Sequence, residues 1–282
     1  MNEAPPEHIF SFLADLLERR TGQELAPNRY WRIETALKPI MRVHGLADLN
    51  ALVTALSTGG NRVLERQAVE AMLNNETSFF RDQATMSLLT GPAFAALRQA
   101  RTGHRRLRIW SAASSTGQEA YSIAMALRED RANWQGWDIE IIGSDISMTV
   151  VERAREGRYS QFEIQRGMPI SLMLRYFGRD GEDWVAKEEI RSMVRFRQHN
   201  LLDPVPMTGE FDAILCRNMI MYLQAEHRST VFDHLARSIA GDGFLMLGAA
   251  ETVIGQTERF QSSKDYRGLY ERKSAEDMRS AA

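Results

Sequence analysis

The chain has 282 residues, 44% hydrophobic and 26% charged, with a formal net charge of −2. That length suggests one large domain or two ordinary ones, with ample material for a core. The near-neutral balance argues against a nucleic-acid-binding footprint. The single cysteine, Cys216, excludes an internal disulfide and a cysteine zinc cluster, and fits a reducing, cytoplasmic compartment. The opening MNEAPPEHIF lacks the basic start and apolar run of a signal peptide. No apolar run approaches the roughly 20 residues that cross a bilayer, so direct membrane insertion is not expected.

Residues 8–20 place Ile9, Phe12, Leu13, Leu16 and Leu17 at helical spacing, with Gly22 as the stop. A second helical pattern covers 28–43, where Pro39 is expected to kink it. Two more cover 48–56 and 63–73. Residues 1–73 therefore read as an all-α domain, and 74–88 as a linker.

The pattern then changes. LRIWSAA (107–113) is a short apolar strand followed by the helical GQEAYSIAMALRED. WDIEIIGSD (137–145) is a strand, and SMTVVERAREG a helix closed by Gly157. FDAILCRN (211–218) and GFLMLGAA (243–250) are strands flanking the helix at 225–240, and RGLYERK (267–273) is a last strand. This alternation predicts an α/β domain over 89–273 with a Rossmann-like parallel sheet covered by helices. Residues 158–199 break it. A Gly-Arg-Asp-Gly turn followed by the alternating WVAKEEI and MVRFRQ predicts a small antiparallel insertion. Residues 274–282 read as a disordered tail.

Three places invite chemistry. SAASSTGQEAYS (111–122) joins a strand to a helix, where a doubly wound sheet binds a nucleotide. It lacks the G-x-G-x-x-G fingerprint, which points away from a pyrophosphate and toward an adenosine without phosphates; an ordinary tight turn has the same pattern. Asp145 ends the next strand, where a carboxylate accepts from ribose hydroxyls or caps the following helix. Loop and acid together favour adenosine. NNETSFFRD (74–82) sets polar groups around a Phe-Phe pair, and reads either as part of a site or as a linker with Thr77 as a helix cap. Arg217, Asn218, Tyr222 and Asn200 follow strands, where crevice residues and helix caps are alike found. Cys216 reads as a buried apolar residue. The six histidines show no metal-ligand spacing and read as surface or core, so no metal is expected.

In order, NNETSFFRD, RIWSAASSTGQEAYSIAMAL, IIGSDIS, QHNLLDP, FDAILCRNMIMYL and FLMLGAAE resemble the CheR family, the methyltransferases that modify glutamates of chemotaxis receptors. The resemblance implies a Rossmann-like fold dependent on S-adenosylmethionine, with an N-terminal all-α domain, a β-subdomain at the insertion and a linker contributing to the active site. It implies that Asn75, Thr77 and Arg81 hold the cofactor, with Arg81 near the transferable methyl. Ala113 and Glu119 correspond to first-loop contacts, Asp145 to the ribose contact, and Asn200 and Leu201 to adenine contacts. Arg217 and Asn218 correspond to residues closing the site, and Tyr222, with Arg81, to the catalytic pair near the methyl. The implied partners are the cytoplasmic helices of methyl-accepting receptors. The family's second helix is often rich in arginine; here 28–43 keeps Arg29, Arg32, Lys38 and Arg42 but has Ala36. Some members capture a receptor's C-terminal pentapeptide on the β-subdomain. The acidic turn at 178–183 disfavours a peptide carboxylate here, so a pentapeptide tether is not expected. The alternatives are a methyltransferase of this fold acting on another protein, a nucleic acid or a small molecule, or a non-catalytic cofactor-binding module. Neutral charge and the lack of an Asn-Pro-Pro-Tyr-type motif count against nucleic acid.

Overall fold

A computed structural model describes residues 7–25 and 30–274. Arg29 and nearly all of the expected tail lie outside them. The described chain divides into two units, 1–74 with 222–224, and 75–221 with 225–282.

The first unit is helical: α1 (Glu7–Thr21), α2 (Tyr30–Val43), α3 (Leu49–Ser57) and α4 (Arg62–Met72). Asp48 and Asn61 start α3 and α4 by accepting the amides of Ala51 and Leu64 at 2.8 and 3.0 Å, which satisfies donors that a helix leaves unpaired. Gly22, at φ 70°, ends α1 with its amide on the Glu18 carbonyl. Pro39 lies within α2, which continues to Val43. Ile9, Leu13, Leu16 and Leu17 are buried as the spacing predicts, together with Ile33, Leu37, Leu52 and Leu64. Each such side chain contributes about 1.5–3 kcal/mol. Phe10, not Phe12, is the buried phenylalanine of α1; Phe12 packs only at the cluster's margin.

In the second unit, α5 (Gln83–Leu88) and α6 (Phe94–Ala100) flank a π-turn at Leu89–Ala93. The wider turn accommodates Pro92, which has no amide to donate. Then follow β1 (Arg106–Ala112), α7 (Gln118–Glu129), β2 (Asp138–Asp145), α8 (Met148–Glu156), β3 (Arg158–Tyr159), α9 (Gln161–Gln165), α10 (Ile170–Tyr176), β4 (Phe177–Asp180), β5 (Asp183–Ala186), α11 (Glu188–Arg191), β6 (Val194–Gln198), β7 (Phe211–Cys216), α12 (Ala225–Ser238), β8 (Ile239–Leu247), β9 (Phe260–Ser262) and β10 (Leu269–Arg272). The principal sheet has the order β6-β2-β1-β7-β8-β10-β9. The first five strands run parallel, with Ile109 of β1 opposite Ile141 of β2 and Ala213 of β7. β10 runs antiparallel to both its neighbours. The chain moves outward from β1 to β2 and β6, then returns to β7 on the other side of β1. That reversal opens a crevice at the carboxyl ends of β1 and β7.

The insertion is a three-stranded antiparallel sheet, β3-β5-β4. Its Tyr159, Phe177 and Trp184 share one apolar cluster with Ile109, Ile141 and Leu215 of the principal sheet. The insertion is shorter than the sequence pattern predicts. MVRFRQ becomes β6, paired in parallel with β2, and EEIR is a helical turn. An alternating strand reads the same whether its partner is parallel or antiparallel, so the pattern alone does not choose. β8 also begins four residues earlier and ends three earlier than expected, 239–247 against 243–250, which leaves 248–251 as a loop.

At the amino ends of the strands lies an ionic network around the buried Arg101 and Asp212. Arg101 donates from Nε to Asp212 Oδ1 at 2.6 Å and from both terminal nitrogens to Asp242. Asp212 Oδ2 accepts the Arg108 amide at 2.7 Å. Burial alone would lower the Arg101 pKa, but Asp242 and Asp212 hold it above its ordinary value.

Candidate active site

The loop from β1 to α7 holds three residues in the left-handed region within five positions: Ala113 (φ 59°), Ser115 (φ 49°) and Gly117 (φ 92°). Two of them are not glycine, and such strain persists only where the surroundings enforce it. Here they do. Ser114 N donates to Ser144 O at 2.8 Å and Gly117 N to Ser114 O at 3.0 Å. Ser115 N donates to Asp145 Oδ2 at 2.9 Å, and Ser115 Oγ to the Asn75 carbonyl at 2.7 Å. A Cβ on Gly117 would lie 2.9 Å from the Phe196 ring.

Asp145 is buried at the end of β2. Its Oδ1 accepts the Ser147 amide at 3.0 Å, but Ser147 itself caps α8 through the Val150 amide. Asp145 therefore braces the first loop on one side and the start of α8 on the other.

The linker is anchored to the sheet unit rather than loosely strung. Phe79 is fully buried, with its ring edge-on to Tyr159 at 5.0 Å and to Phe177 at 5.6 Å. The Phe80 amide donates to Ser122 Oγ at 2.9 Å. Gly167 lies so near the Phe79 carbonyl that a Cβ would come within 2.0 Å of it. No helix starts at Thr77; α5 begins at Gln83. Asn75 and Thr77 instead line a cavity of about 320 Å³ with Thr116, Gln118, Arg153 and Arg166. Neither Asp145 nor Asn218 lines it.

Arg81 donates to the Glu76 carbonyl at 3.2 Å and, among the described residues, forms no ion pair. Arg217 contrasts with it. Its side chain is 3% exposed and donates to Glu119 Oε2 at 2.9 Å, to the Asp82 carboxylate and to the Arg81 carbonyl at 2.9 Å. Burial opposes its charge, but Glu119 and Asp82 hold its pKa above the ordinary value. Glu119 Oε1 also accepts Ser111 Oγ at 2.7 Å. Both oxygens of Glu119 thus already carry a protein donor.

Asn200 follows β6 and closes its own turn, with Oδ1 on the Leu202 amide at 3.1 Å. Leu201 is buried, and its carbonyl lies 3.0 Å from His234 Nδ1. Asn218, past the end of β7, has φ 56°, a buried Oδ1 without a partner, and its amide on Glu251 at 2.6 Å. Tyr222 groups with the helical unit, where its hydroxyl takes Asn74 Nδ2 at 2.9 Å and its carbonyl the Glu24 amide.

Two residues carried no signal in the sequence. His199 is buried against Trp110 with Nε2 unpartnered, and burial holds its pKa below the ordinary value. Only its place beside Asn200 pointed to the crevice. Glu251 ends the quoted FLMLGAAE, yet nothing about a lone loop glutamate announces four backbone donors. No group of three metal-ligating side chains occurs among the described residues.

Four buried polar atoms lack a protein partner at the carboxyl ends of β1, β6 and β7: Ser114 Oγ, His199 Nε2, Arg217 Nε and Asn218 Oδ1. Buried polar atoms are ordinarily paired, so a polar ligand in the crevice fits them. A nucleoside suits this set better than a phosphate does, because the one buried cation, Arg217 among the described crevice residues, is already neutralised.

The family model described as "CheR methyltransferase, SAM binding domain" matches residues 75–268. The chemotaxis protein methyltransferase of Vibrio parahaemolyticus is 35% identical over 248 residues, 87% of this chain and 89% of that protein. Chemotaxis protein methyltransferase Cher2 of Pseudomonas putida is 34% identical over 249 residues, 87% of this chain and 90% of that protein. Chemotaxis protein methyltransferase 1 of Pseudomonas aeruginosa is 34% identical over 258 residues, 89% of this chain and 93% of that protein. With a family model covering well over half of its length and relatives matched nearly end to end, the chain belongs to the CheR methyltransferase family.

Proposed function

We propose that this methyltransferase transfers the methyl group of S-adenosylmethionine to glutamate side chains of chemotaxis receptors, giving glutamyl methyl esters. The observation that carries the reading is the pairing of a braced strand-end carboxylate, Asp145, with an arginine, Arg81, that has no acidic partner among the described residues. Asp145, with the loop from Ala113, is assigned to the ribose side, and Asn200 and Leu201 to the adenine. Asn75, Thr77 and Asn218 complete the cofactor's surroundings. Arg217 and Glu119 act on it through the linker and the first helical turn that they tie together. The bound cofactor supplies a methyl on a positively charged sulfur, which keeps the bonding pair as the carboxylate oxygen forms the new C–O bond. Glutamate has a pKa of about 4.3, so the acceptor is already ionised at neutral pH and no strong base is needed. The protein's share is alignment, which contributes on the order of 7–11 kcal/mol in well-oriented reactions. Arg81 grips the acceptor carboxylate by its planar fork. Tyr222 is assigned to the same region by its family correspondence.

Two substitutions test these roles. Asp145→Ala is expected to weaken S-adenosylmethionine binding by about 1–3 kcal/mol, the scale of hydrogen bonds to a charged group, while the protein stays folded. Calorimetry showing wild-type affinity would remove Asp145 from the site. Arg81→Ala is expected to lower kcat for receptor methylation by about ten- to a hundredfold, with a smaller change in cofactor affinity, since an interaction made in the transition state appears in kcat. Wild-type turnover on receptor membranes would defeat the assignment.

We also propose that no pentapeptide tether is needed. Capture of a peptide's end by strand addition requires a free edge and a cation for its carboxylate. At the β4–β5 turn, Asp180 and Asp183 both pair with Arg158, which occupies the nearest cation, and Arg179 packs over Trp184. A receptor C-terminal pentapeptide titrated into the protein is expected to give no calorimetric heat of binding. Micromolar binding lost on mutating 178–186 would reverse this.

A further inference from the structure

We infer that Glu251 is the positioning residue that sets Asn218 against the crevice, a role that rests on the reading of Asn218 as a cofactor contact. Beyond the end of β7 the chain turns sharply, and its amides have no strand to pair with. Glu251 takes them. Its Oε2 accepts Asn218 N at 2.6 Å and Gly248 N at 2.8 Å; its Oε1 accepts Met219 N at 3.0 Å and Met221 N at 3.1 Å. One carboxylate thus ties the carboxyl end of β7 to that of β8, the two strand ends that flank one side of the crevice. The Glu251 amide in turn donates to Gly248 O at 2.9 Å, which closes the 248–251 turn and aims the side chain inward.

Asn218 shows what this clasp enforces. It stands at φ 56°, a conformation that asparagine tolerates better than most residues but that still needs support. Its side chain lies over Gly248 so closely that a Cβ there would sit 2.8 Å from Asn218 Nδ2 and 2.8 Å from Glu251 Oε2. The far atom of that side chain, Oδ1, is buried and unpartnered. Glycine at 248, the carboxylate at 251 and the left-handed turn at 218 are therefore one device. It fixes the amide side chain at the strand ends, packed over Gly248, with Oδ1 buried and unpartnered. Charge and shape both matter. A glutamine at 251 keeps one acceptor oxygen but turns an NH2 toward amides that also donate.

The test is calorimetric titration of S-adenosylhomocysteine into the full chain, with thermal melts to verify folding. Asn218→Ala and Glu251→Gln are each expected to weaken binding about tenfold. Because the second acts through the first, the double variant is expected to bind no more than about twofold worse than either single one, unlike independent sites. Gly248→Ala gives the same answer should Glu251→Gln fail to fold. It is expected to weaken binding alone and to have no further effect on binding in the Asn218→Ala background, where the amide side chain it displaces is gone and only the contact with Glu251 Oε2 remains. A folded Glu251→Gln or Gly248→Ala protein with wild-type affinity, or losses that multiply in the doubles, would overturn the proposal while leaving the site reading intact. Wild-type affinity in Asn218→Ala would instead strike the site reading, and the positioning role with it.

Discussion

Replacing Arg217 with alanine is expected to destabilise the protein by about 3–5 kcal/mol, the scale for removing one partner of a buried ion pair. The guanidinium is nearly inaccessible and sits between Glu119, also largely buried, and Asp82. Its loss would strand the Glu119 carboxylate with only Ser111 Oγ for a partner. It would also release the Arg81 carbonyl, so the linker carrying Arg81 would lose its tie to β7. Cofactor affinity and methylation should therefore fall together with stability. Urea unfolding followed by tryptophan fluorescence reads this directly, because Trp110, Trp134, Trp137 and Trp184 all lie in the sheet unit. A midpoint unchanged from wild type would show that the triad is not holding the site.

Asp212→Ala should be comparably damaging, by about 3–5 kcal/mol, yet leave cofactor affinity near wild type in the folded fraction. Asp212 is buried, and its two oxygens serve Arg101 Nε and the Arg108 amide. Without it, Arg101 keeps only Asp242, whose side chain is 61% exposed and whose attraction water screens. The network lies at the amino ends of β1 and β7, the full length of the strands from the crevice. The two variants thus separate two buried arginine–carboxylate networks: one whose disruption damages fold and site together, and one whose disruption damages the fold alone. If Asp212→Ala weakened cofactor binding as strongly as Arg217→Ala does, that separation would fail.

The local parts of this protein were legible in the sequence. Helical spacing at Ile9, Leu13 and Leu16, short apolar strands ending in small residues, and Asp145 after IIGS are properties of neighbouring residues, governed by side-chain periodicity and turn chemistry. So the helical start, the alternating strands and helices and the positions of the first loop and its acid were all readable. What required the tertiary structure was pairing across distance. MVRFRQ alternates as any half-buried strand does, and only the lateral hydrogen bonds to β2 place it in the principal sheet rather than the insertion. Phe79 marks the linker as unusual, but its socket is made by Tyr159 and Phe177, eighty and more residues on in the sequence. Glu251 reads as a surface glutamate until β7 and β8 come side by side and bring four amides to one carboxylate. Hydrogen-bond donors at strand ends are satisfied by whatever the fold brings near them, and that partner has no fixed separation along the chain.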